Sequence, residues 1–342
     1  MQSLIPIIAA VLAFLITAAF GAVLIPFLRK LHFGQTILDI GPKWHKSKQG
    51  TPIMGGIMFI VGTLLALLIG YMLASFMGSG EMLMREAVSK DRLVQLIAGI
   101  VMALLMGFIG FMDDYIKAVK KQNLGLKASQ KTFLQLLVAV AYLATMYLGG
   151  MTTTYIPFIG TIEINHGFGL LFWPVALIFI YGFTNAVNLT DGIDGLAASV
   201  TFVVSLFYVM ATSVLGYYGY NLLASALTGA LVGFLVWNLH PARVFMGDTG
   251  SMFLGGVVVA LAFGSNCPIL LFLAGILYLI EAMSVVIQVA YYKRTKKRLF
   301  KMSPIHHHFE MCGWKENKIV LVFSGVALIG CAIALVLLWI GF

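Results

Sequence analysis

Long apolar runs alternate with short polar segments along the whole chain. The apolar runs fall at residues 3–28, 53–77, 93–112, 132–150, 169–187, 196–215, 221–238, 251–264, 268–290 and 319–341. A membrane-spanning helix needs about 20 apolar residues, and none of these runs shows the period-two alternation of an outer-membrane barrel. The pattern predicts an all-α polytopic membrane protein with about ten transmembrane helices, in a single domain over residues 1–342.

Residues 151–166 depart from this pattern. Their sequence, MTTTYIPFIGTIEINH, places β-branched residues on both sides of a glycine. Such a segment is typical of two short strands joined by a turn. We therefore expect a small hairpin outside the bilayer.

Composition supports the membrane interpretation. The chain is 61% hydrophobic and 10% charged, whereas about a quarter of the residues of a soluble domain are charged. The three cysteines, Cys267, Cys312 and Cys331, are scattered and show no metal-binding spacing. This arrangement argues against a disulfide framework.

The distribution of positive charge predicts the orientation in the membrane. The net charge of +9 could suggest a nucleic-acid partner, but the basic residues cluster beside the predicted spans. All but three of the 22 lysines and arginines lie in loops that follow odd-numbered runs, the exceptions being Arg85, Lys90 and Arg92. By the positive-inside rule these loops are cytoplasmic and both termini are extracytoplasmic. We expect membrane lipid or an anionic substrate beside them, and no nucleic acid.

Four polar clusters fall on this predicted cytoplasmic side. They are Asp113–Asp114, Asn185–Asp194, Asn238–Ser251 and His306–His308. A transporter more often places its polar residues near the midplane, between broken helices. Clusters at helix ends on one surface favour a site open to the cytoplasm.

Asp113 and Asp114 close an apolar run. A carboxylate in mid-bilayer costs about 2.5–3.5 kcal/mol, so such residues are usually functional or lie at a helix end. Successive residues of a helix point about 100° apart, so we expect the two carboxylates to face different spots and to have separate tasks. At the negative end of the helix dipole they would need a cation, either Mg²⁺ or lysine. The alternative is an interfacial acidic pair that Lys117 and Lys120 neutralise.

The second cluster contains Asn185, Asn188, Asp191 and Asp194 together with two glycines. Its amides and carboxylates could hold a base, a ribose or a hydrated metal. The alternative is helix capping, with Thr190, Asp191 or Asp194 starting the sixth span and Asn185 ending the fifth. Capping needs one such residue and not four, which favours a functional role.

The other two clusters also allow two interpretations each. Asp248 precedes a predicted helix and could be an N-cap or a metal ligand, and Phe245 could stack on a base or anchor the chain at the interface. Consecutive histidines do not share a helix face. A zinc site from His306, His307 and His308 alone is therefore disfavoured, and contacts with phosphate and sugar are favoured.

Taken together, these motifs resemble the phospho-N-acetylmuramoyl-pentapeptide-transferase family, within the polyprenyl-phosphate N-acetylhexosamine-1-phosphate transferase superfamily. The motifs that carry the resemblance are the aspartate pair, NAVNLTDGIDGL, FMGDTGS and PIHHHFE, in this order. The segment GTPIMGG at residues 50–56 is similar to the family's GTPTMGG, with Ile53 in place of threonine. PIHHHFE distinguishes the muramoyl branch from relatives that use other sugars.

The resemblance implies a reaction and a setting. Phospho-MurNAc-pentapeptide would pass from UDP-MurNAc-pentapeptide to undecaprenyl phosphate, giving lipid I and UMP with Mg²⁺ as cofactor. It also implies a bacterial cytoplasmic membrane, a site on the cytoplasmic face, a ninth helix that is broken or bent, and a homodimer. The alternative within the superfamily is a transferase for another UDP-N-acetylhexosamine.

The same resemblance suggests residue roles. Asp248 would be the metal ligand, Asp113 the base and Asp114 a supporting residue. The residues expected to contact nucleotide or substrate are Asn188, Asp191, Asp194, Phe245 and Gln288; Lys48, Asn238, His306, His307 and His308 would line the same cleft. Lys121 and Lys131 are expected beside the diphosphate. A one-step transfer and a two-step path through a phosphoryl-enzyme both remain open.

Overall fold

The computed structural model of the chain describes residues 4–31, 48–76, 90–120 and 125–341, and most of them are helical. The helices are α1 (Leu4–Lys30), α2 (Gly56–Phe76), α3 (Lys90–Lys120), α4 (Ala128–Leu148), α5 (Phe172–Thr190), α6 (Leu196–Val214), α7 (Tyr218–Asn238), α8 (Gly247–Gly264), α9 (Ile276–Thr295), the short α10 (Ile305–Met311) and α11 (Glu316–Gly341). In this part of the chain ten helices, all but α10, are long and apolar enough to cross a membrane. The prediction of an all-α polytopic protein is confirmed.

The segment at residues 151–166 forms the predicted hairpin. Strands β1 (Thr153–Ile156) and β2 (Gly160–Glu163) pair in antiparallel register. The hairpin docks on the helical bundle through Tyr155, whose backbone N–H donates to Asn266 O at 2.8 Å and whose hydroxyl donates to Gly341 O. It therefore covers the connection after α8 and the end of α11.

Two helices extend beyond the apolar runs that predicted them. Helix α3 continues to Lys120 instead of ending at Met112, so the expectation that Asp113 and Asp114 lie at a helix C-terminus was wrong. The extension is explained by the ion pair between Asp113 and Lys117, one turn later on the same face, at 2.5 Å. Helix α8 begins at Gly247, so Asp248 lies inside its first turn and does not precede it.

The ninth apolar run is interrupted. A short turn, Leu271–Ala274, ends at Gly275, and α9 then runs from Ile276. This agrees with the broken or bent ninth helix that the family resemblance implied. The three cysteines are free, as their spacing predicted.

Helix α8 is the centre of the bundle. Every residue from Thr249 to Gly264 is buried. Its sequence explains this, because a helix that is apolar on all sides has no face that prefers water. The first turn of α8 carries Asp248, so the position of α8 in the bundle sets the position of that carboxylate.

Small residues bring α3 into close contact with α8. Gly99, Ala103 and Gly107 recur every four residues along α3, which aligns them on one face. A Cβ atom on Gly256 of α8 would lie 2.6 Å from Ala103 Cα, and one on Gly110 would lie 2.1 Å from Asp248 O. Small residues at such spacing allow helix backbones in a membrane to approach closely. The two aspartates of α3 are thereby held beside the start of α8.

We expect Gly256→Ala to destabilise the fold, because its Cβ would overlap the α3 backbone, which cannot rotate away. Overpacking of this kind costs about 1–3 kcal/mol. The measurement is the melting temperature of the purified protein in detergent.

The matched control is Gly182→Ala on α5, where a Cβ would meet nothing within 4 Å. It should leave the melting temperature unchanged or raise it slightly, since alanine has the higher helix propensity. Equal melting temperatures for Gly256→Ala and the unmutated protein would contradict the close packing of α3 against α8.

Candidate active site

Three carboxylates from two helices meet where α3 passes the start of α8. One oxygen from each of Asp113, Asp114 and Asp248 lies within 4.8 Å of the other two. The expectation that two successive carboxylates must face different spots was therefore wrong. Because Gly110 lets the α8 backbone approach α3 so closely, both side chains can reach it from their different directions.

Asp114 caps α8 from a different helix. Its Oδ1 accepts a hydrogen bond from the Asp248 N–H at 3.1 Å, and its Oδ2 accepts from the Thr249 N–H at 2.9 Å and the Thr249 hydroxyl at 2.7 Å. The first N–H groups of a helix have no partner within the helix, and its N-terminus favours negative charge. The residue at the N-cap position, Met246, provides no side-chain cap. Asp114 therefore acts as the side-chain cap of α8 in place of Met246.

Asp113 and Asp248 share a lysine. Lys117 Nζ lies 2.5 Å from Asp113 Oδ2 and 3.2 Å from Asp248 Oδ2. Lys131 Nζ, from α4, lies 2.9 Å from the same oxygen of Asp248. Three carboxylates thus face two ammonium groups, which leaves the cluster with an excess of negative charge. We call these five residues the acidic cluster.

Neighbouring elements hold the remaining oxygens of the acidic cluster. Asp113 Oδ1 accepts the Leu126 N–H at 2.7 Å, which fixes the chain entering α4. Asn188, on the last turn of α5, donates to Asp248 Oδ1 at 3.0 Å and to Ser251 Oγ at 2.8 Å. The structure therefore brings Asn188 and Lys131 to the predicted catalytic aspartates.

A second polar cluster forms around Asp194, which is buried. Lys48 Nζ lies 2.7 Å from Asp194 Oδ1 and 2.6 Å from Glu316 Oε2. His240 Nδ1 lies 2.9 Å from Asp194 Oδ2, which also accepts the Ala242 N–H at 3.0 Å. Asp194, His240 and Glu316 could hold a metal by their spacing, but the ammonium group of Lys48 already supplies a cation to both carboxylates. We call Lys48, Asp194, His240 and Glu316 the lysine cluster.

Asp191 lies between the two clusters. Its carboxyl group is partly buried and is close enough to interact with the carboxylates of Asp248, Asp114 and Asp194. Burial, followed by these negative neighbours, raises the pKa of Asp191 well above its usual range. A cationic or hydrogen-bond-donating ligand placed here would relieve that repulsion.

Asn238 and Phe245 hold the backbone around the clusters. Asn238 is buried; its Oδ1 accepts the Gly195 N–H at 3.1 Å and its Nδ2 donates to Val244 O at 2.9 Å. Phe245 is partly buried, and its backbone pairs with the GTPIMGG segment through Pro52 O at 2.8 Å and the Gly55 N–H at 2.8 Å. The FMGDTGS and GTPIMGG motifs are thus joined through the backbone of Phe245.

The histidine motif reaches the loop that follows α5, where the His306 ring contacts Gly192, but its three members differ in environment. His306 is fully buried with its Nδ1 3.0 Å from Glu281 Oε2, so it does not line an open cleft. His307 Nδ1 lies 2.6 Å from Glu310 Oε2, and His308 Nδ1 accepts the Lys301 N–H at 3.1 Å.

Two predicted contact residues bind other parts of the protein. Gln288 accepts the backbone N–H groups of Leu299 and Phe300 at 3.1 and 2.9 Å. Asn185 donates to Gln135 Oε1 at 3.0 Å and to Tyr181 O at 2.8 Å, so its amide N–H groups are engaged within the helical bundle. Lys121 lies outside the described residues.

Several residues of these clusters were not among the predicted ones. Lys117 was expected only in the alternative interpretation, as a neutralising partner of the aspartate pair, and Glu281 could have been found by its place as an acid within an apolar run. Glu316, His240 and Gln135 carry no such signal, since each is an ordinary polar residue in its local sequence. Their partners are distant in the chain.

Comparison with known proteins agrees with the motifs. Residues 96–266 match glycosyl transferase family 4. Proteins named phospho-N-acetylmuramoyl-pentapeptide-transferase are similar along nearly the whole chain. The one from Clostridioides difficile (strain 630) is 47% identical over 321 residues, 92% of either chain.

Two further relatives of the same name extend the comparison. The protein of Clostridium perfringens (strain 13 / Type A) is 43% identical over 96% of this chain and 97% of its own. That of Carboxydothermus hydrogenoformans is 43% identical over 94% of this chain and 95% of its own. The acidic cluster, the motif order and these similarities lead to one conclusion: the chain belongs to the phospho-N-acetylmuramoyl-pentapeptide-transferase family and to glycosyl transferase family 4.

Proposed function

We propose that the protein transfers phospho-MurNAc-pentapeptide from UDP-MurNAc-pentapeptide to undecaprenyl phosphate, producing lipid I and UMP for peptidoglycan synthesis. The observation that carries this proposal is the acidic cluster, in which Asp113, Asp114 and Asp248 converge with two lysines. It lies at one end of a membrane bundle, where the phosphate headgroup of a prenyl carrier would be. The names of relatives 42–47% identical supply the substrate class.

The acidic cluster fits a divalent cation by its chemistry. Its donors are carboxylate oxygens, which hard cations such as Mg²⁺ prefer, and Mg²⁺ usually takes one or two carboxylates in addition to water and substrate oxygens. The excess of negative charge over Lys117 and Lys131 leaves room for a positive one. When bound, Mg²⁺ would neutralise diphosphate charge and orient the oxygens for in-line displacement.

The hydrogen bonds divide the work among the three aspartates. Asp114 already accepts three hydrogen bonds from α8, so we assign it the role of holding Asp248 in place. Asp248 Oδ2 contacts the ammonium groups of Lys117 and Lys131, which a metal cation could replace, and this makes it the oxygen best suited to a metal. Lys117 and Lys131 would then move to the nucleotide diphosphate.

Asp113 is our candidate for the base. The carrier phosphate has a second pKa of about 6 and is largely dianionic at neutral pH. Removal of its remaining proton therefore contributes little to the activation barrier. The main task is to bring two anions together. Release of Lys117 towards the diphosphate would free Asp113 Oδ2 to face the carrier.

The lysine cluster and Asp191 are assigned to the nucleotide and sugar. Lys48 and Asn238 contact the loop that follows α5, which contains Asp194. Asn238 also holds Val244 O, and the next residue, Phe245, carries a ring able to stack on a base. His307 and His308 are assigned to the same site because they follow His306, whose ring contacts Gly192 of this loop. The homodimer that the family resemblance implies is part of the same proposal.

Asp248→Asn is expected to abolish turnover, since the amide keeps the size of the side chain and removes its charge. UMP release in the presence of undecaprenyl phosphate measures this. Mg²⁺ should raise the melting temperature of the unmutated protein and raise that of the variant much less.

Asp91→Asn is the control, because Asp91 lies near the other end of α3 and is exposed. It should retain turnover and the response to Mg²⁺. Near-normal UMP release by Asp248→Asn would exclude Asp248 from the chemistry.

The substrate assignment predicts discrimination between nucleotide sugars. UMP should be released from UDP-MurNAc-pentapeptide and not from UDP-GlcNAc, and only when undecaprenyl phosphate is present. Faster release from UDP-GlcNAc would favour a transferase for another N-acetylhexosamine. Uptake of the nucleotide sugar into sealed vesicles without a carrier would indicate a transporter.

We propose that the polar clusters face the cytoplasm and that both termini are extracytoplasmic. The support is the concentration of lysine and arginine in one set of loops. Cys312 offers a direct test, because it is exposed while Cys267 and Cys331 are buried. A membrane-impermeant maleimide should label the unmutated protein in inverted vesicles and not in right-side-out vesicles.

Cys312→Ser is the control for that labelling and should abolish it. Labelling of the unmutated protein in right-side-out vesicles alone would reverse the proposed orientation.

A further inference from the structure

Glu281 is a buried acid that the proposed mechanism does not use. It lies within the apolar sequence of α9 and is completely buried, as is His306, whose Nδ1 is 3.0 Å from its Oε2. An ionisable residue inside a membrane span is expensive and usually serves a function. Its cost here is offset by a histidine that reaches it from the loop beyond the helix.

The pairing determines which nitrogen of His306 faces the nearby loop. A carboxylate can only accept, so Nδ1 carries the proton and donates to Glu281. In the neutral ring the lone pair is then on Nε2. Among the described residues Nε2 has no hydrogen-bond partner, and it points at Gly192.

The contact with Gly192 is as close as a glycine allows. A Cβ atom on residue 192 would lie 2.0 Å from His306 Nε2 and 2.6 Å from its Cε1. The imidazole ring therefore occupies the space that any other residue at 192 would need. Gly192 is exposed and lies between Asp191 and Asp194 in the sequence. The imidazole ring therefore packs against the backbone of the loop that carries both aspartates.

The polar residues of α9 form one buried face towards the returning loop. Glu281, Ser284 and Gln288 are all buried and recur at helical spacing. Gln288 holds the backbone of residues 299 and 300, and the Ser284 hydroxyl donates to Glu281 O at 2.6 Å. Gln288 and Glu281 therefore attach the returning chain to α9 at two points, residues 299–300 and His306.

We propose that Glu281 is a positioning residue for the nucleotide-sugar site: through His306 it holds the loop that contains Asp191, Gly192 and Asp194 in its binding conformation. This inference rests on the proposed function, because that loop is assigned to the substrate there. The acidic cluster is held separately by α3 and α8. Loss of Glu281 should therefore weaken substrate binding more than it slows the chemical step.

The first test replaces Glu281 by leucine, which has similar size and no hydrogen-bond acceptor. The KM for UDP-MurNAc-pentapeptide should rise about tenfold, the factor expected for one lost buried hydrogen bond, while kcat stays within about threefold. Glu281→Gln keeps an oxygen at the same reach and should restore most of the KM. Glu163→Leu, on the hairpin, is the matched control and should leave both constants unchanged.

The second test asks whether Glu281 acts through His306. Gly192→Ala would displace the same ring from the opposite side, although Gly192 does not contact Glu281. If the ring transmits both effects, the double variant Glu281→Leu/Gly192→Ala should raise the KM no further than the worse single variant. Independent effects would multiply.

The outcomes separate this inference from the proposed function. Absence of UMP release by the unmutated protein with both substrates would contradict the function itself. Normal release by that protein, with an unchanged KM in Glu281→Leu or multiplying effects in the double variant, would overturn the role of Glu281 alone. If Glu281→Leu is too unstable for kinetics, the rise in melting temperature that UDP induces should be smaller for Gly192→Ala than for the unmutated protein, and nearly the same for Glu281→Gln. Equal rises in all three would overturn the inference.

Discussion

The bond between Asp114 and the first turn of α8 is the interaction on which the site depends. It joins a carboxylate of one membrane helix to the unpaired N–H groups of another, 134 and 135 positions later in the chain. Thr249 is buried, so its N–H has no water to bind, and a cap from a neighbouring helix is worth more there than the same cap at an exposed helix end. It also orients Asp248, the next carboxylate of the cluster. One contact thus both caps α8 and sets the position of Asp248 in the acidic cluster.

Among the described residues, the carboxylates of the acidic cluster, of the lysine cluster and of Glu281 all have donors, whereas Asp191 faces other carboxylates. Lys117 and Lys131 serve the acidic cluster, Lys48 serves Asp194 and Glu316, and the Glu281 carboxylate has His306. Most of these donors are flexible side chains, which can transfer to an anionic substrate. Asp114 is the exception, because its donors are the backbone and hydroxyl of α8. The site combines one rigid aspartate with partners that can be exchanged.

Sequence reasoning was sufficient for the number of spans, the hairpin and the motifs, because hydrophobic length and turn composition are local properties. It failed at the end of α3, where the Asp113–Lys117 pair carries the helix past the apolar run. It also could not find the partners of Lys48 or His306, since Glu316 and Glu281 reach them through packing. The convergence of Asp113 and Asp114 on one spot depends on the glycine contact with α8, which side-chain angles along one helix do not reveal.

The glycine contacts between α3 and α8 have a thermodynamic consequence. Because Asp113 and Asp114 belong to one helix and Asp248 to the other, the three carboxylates stay together only while the two backbones stay in contact. Binding at the cluster and association of these helices are therefore linked equilibria, and each must favour the other. A tightly bound inhibitor would act as a clamp that offsets defects in helix packing. Conversely, substitutions far from any substrate could lower affinity simply by loosening the glycine contact.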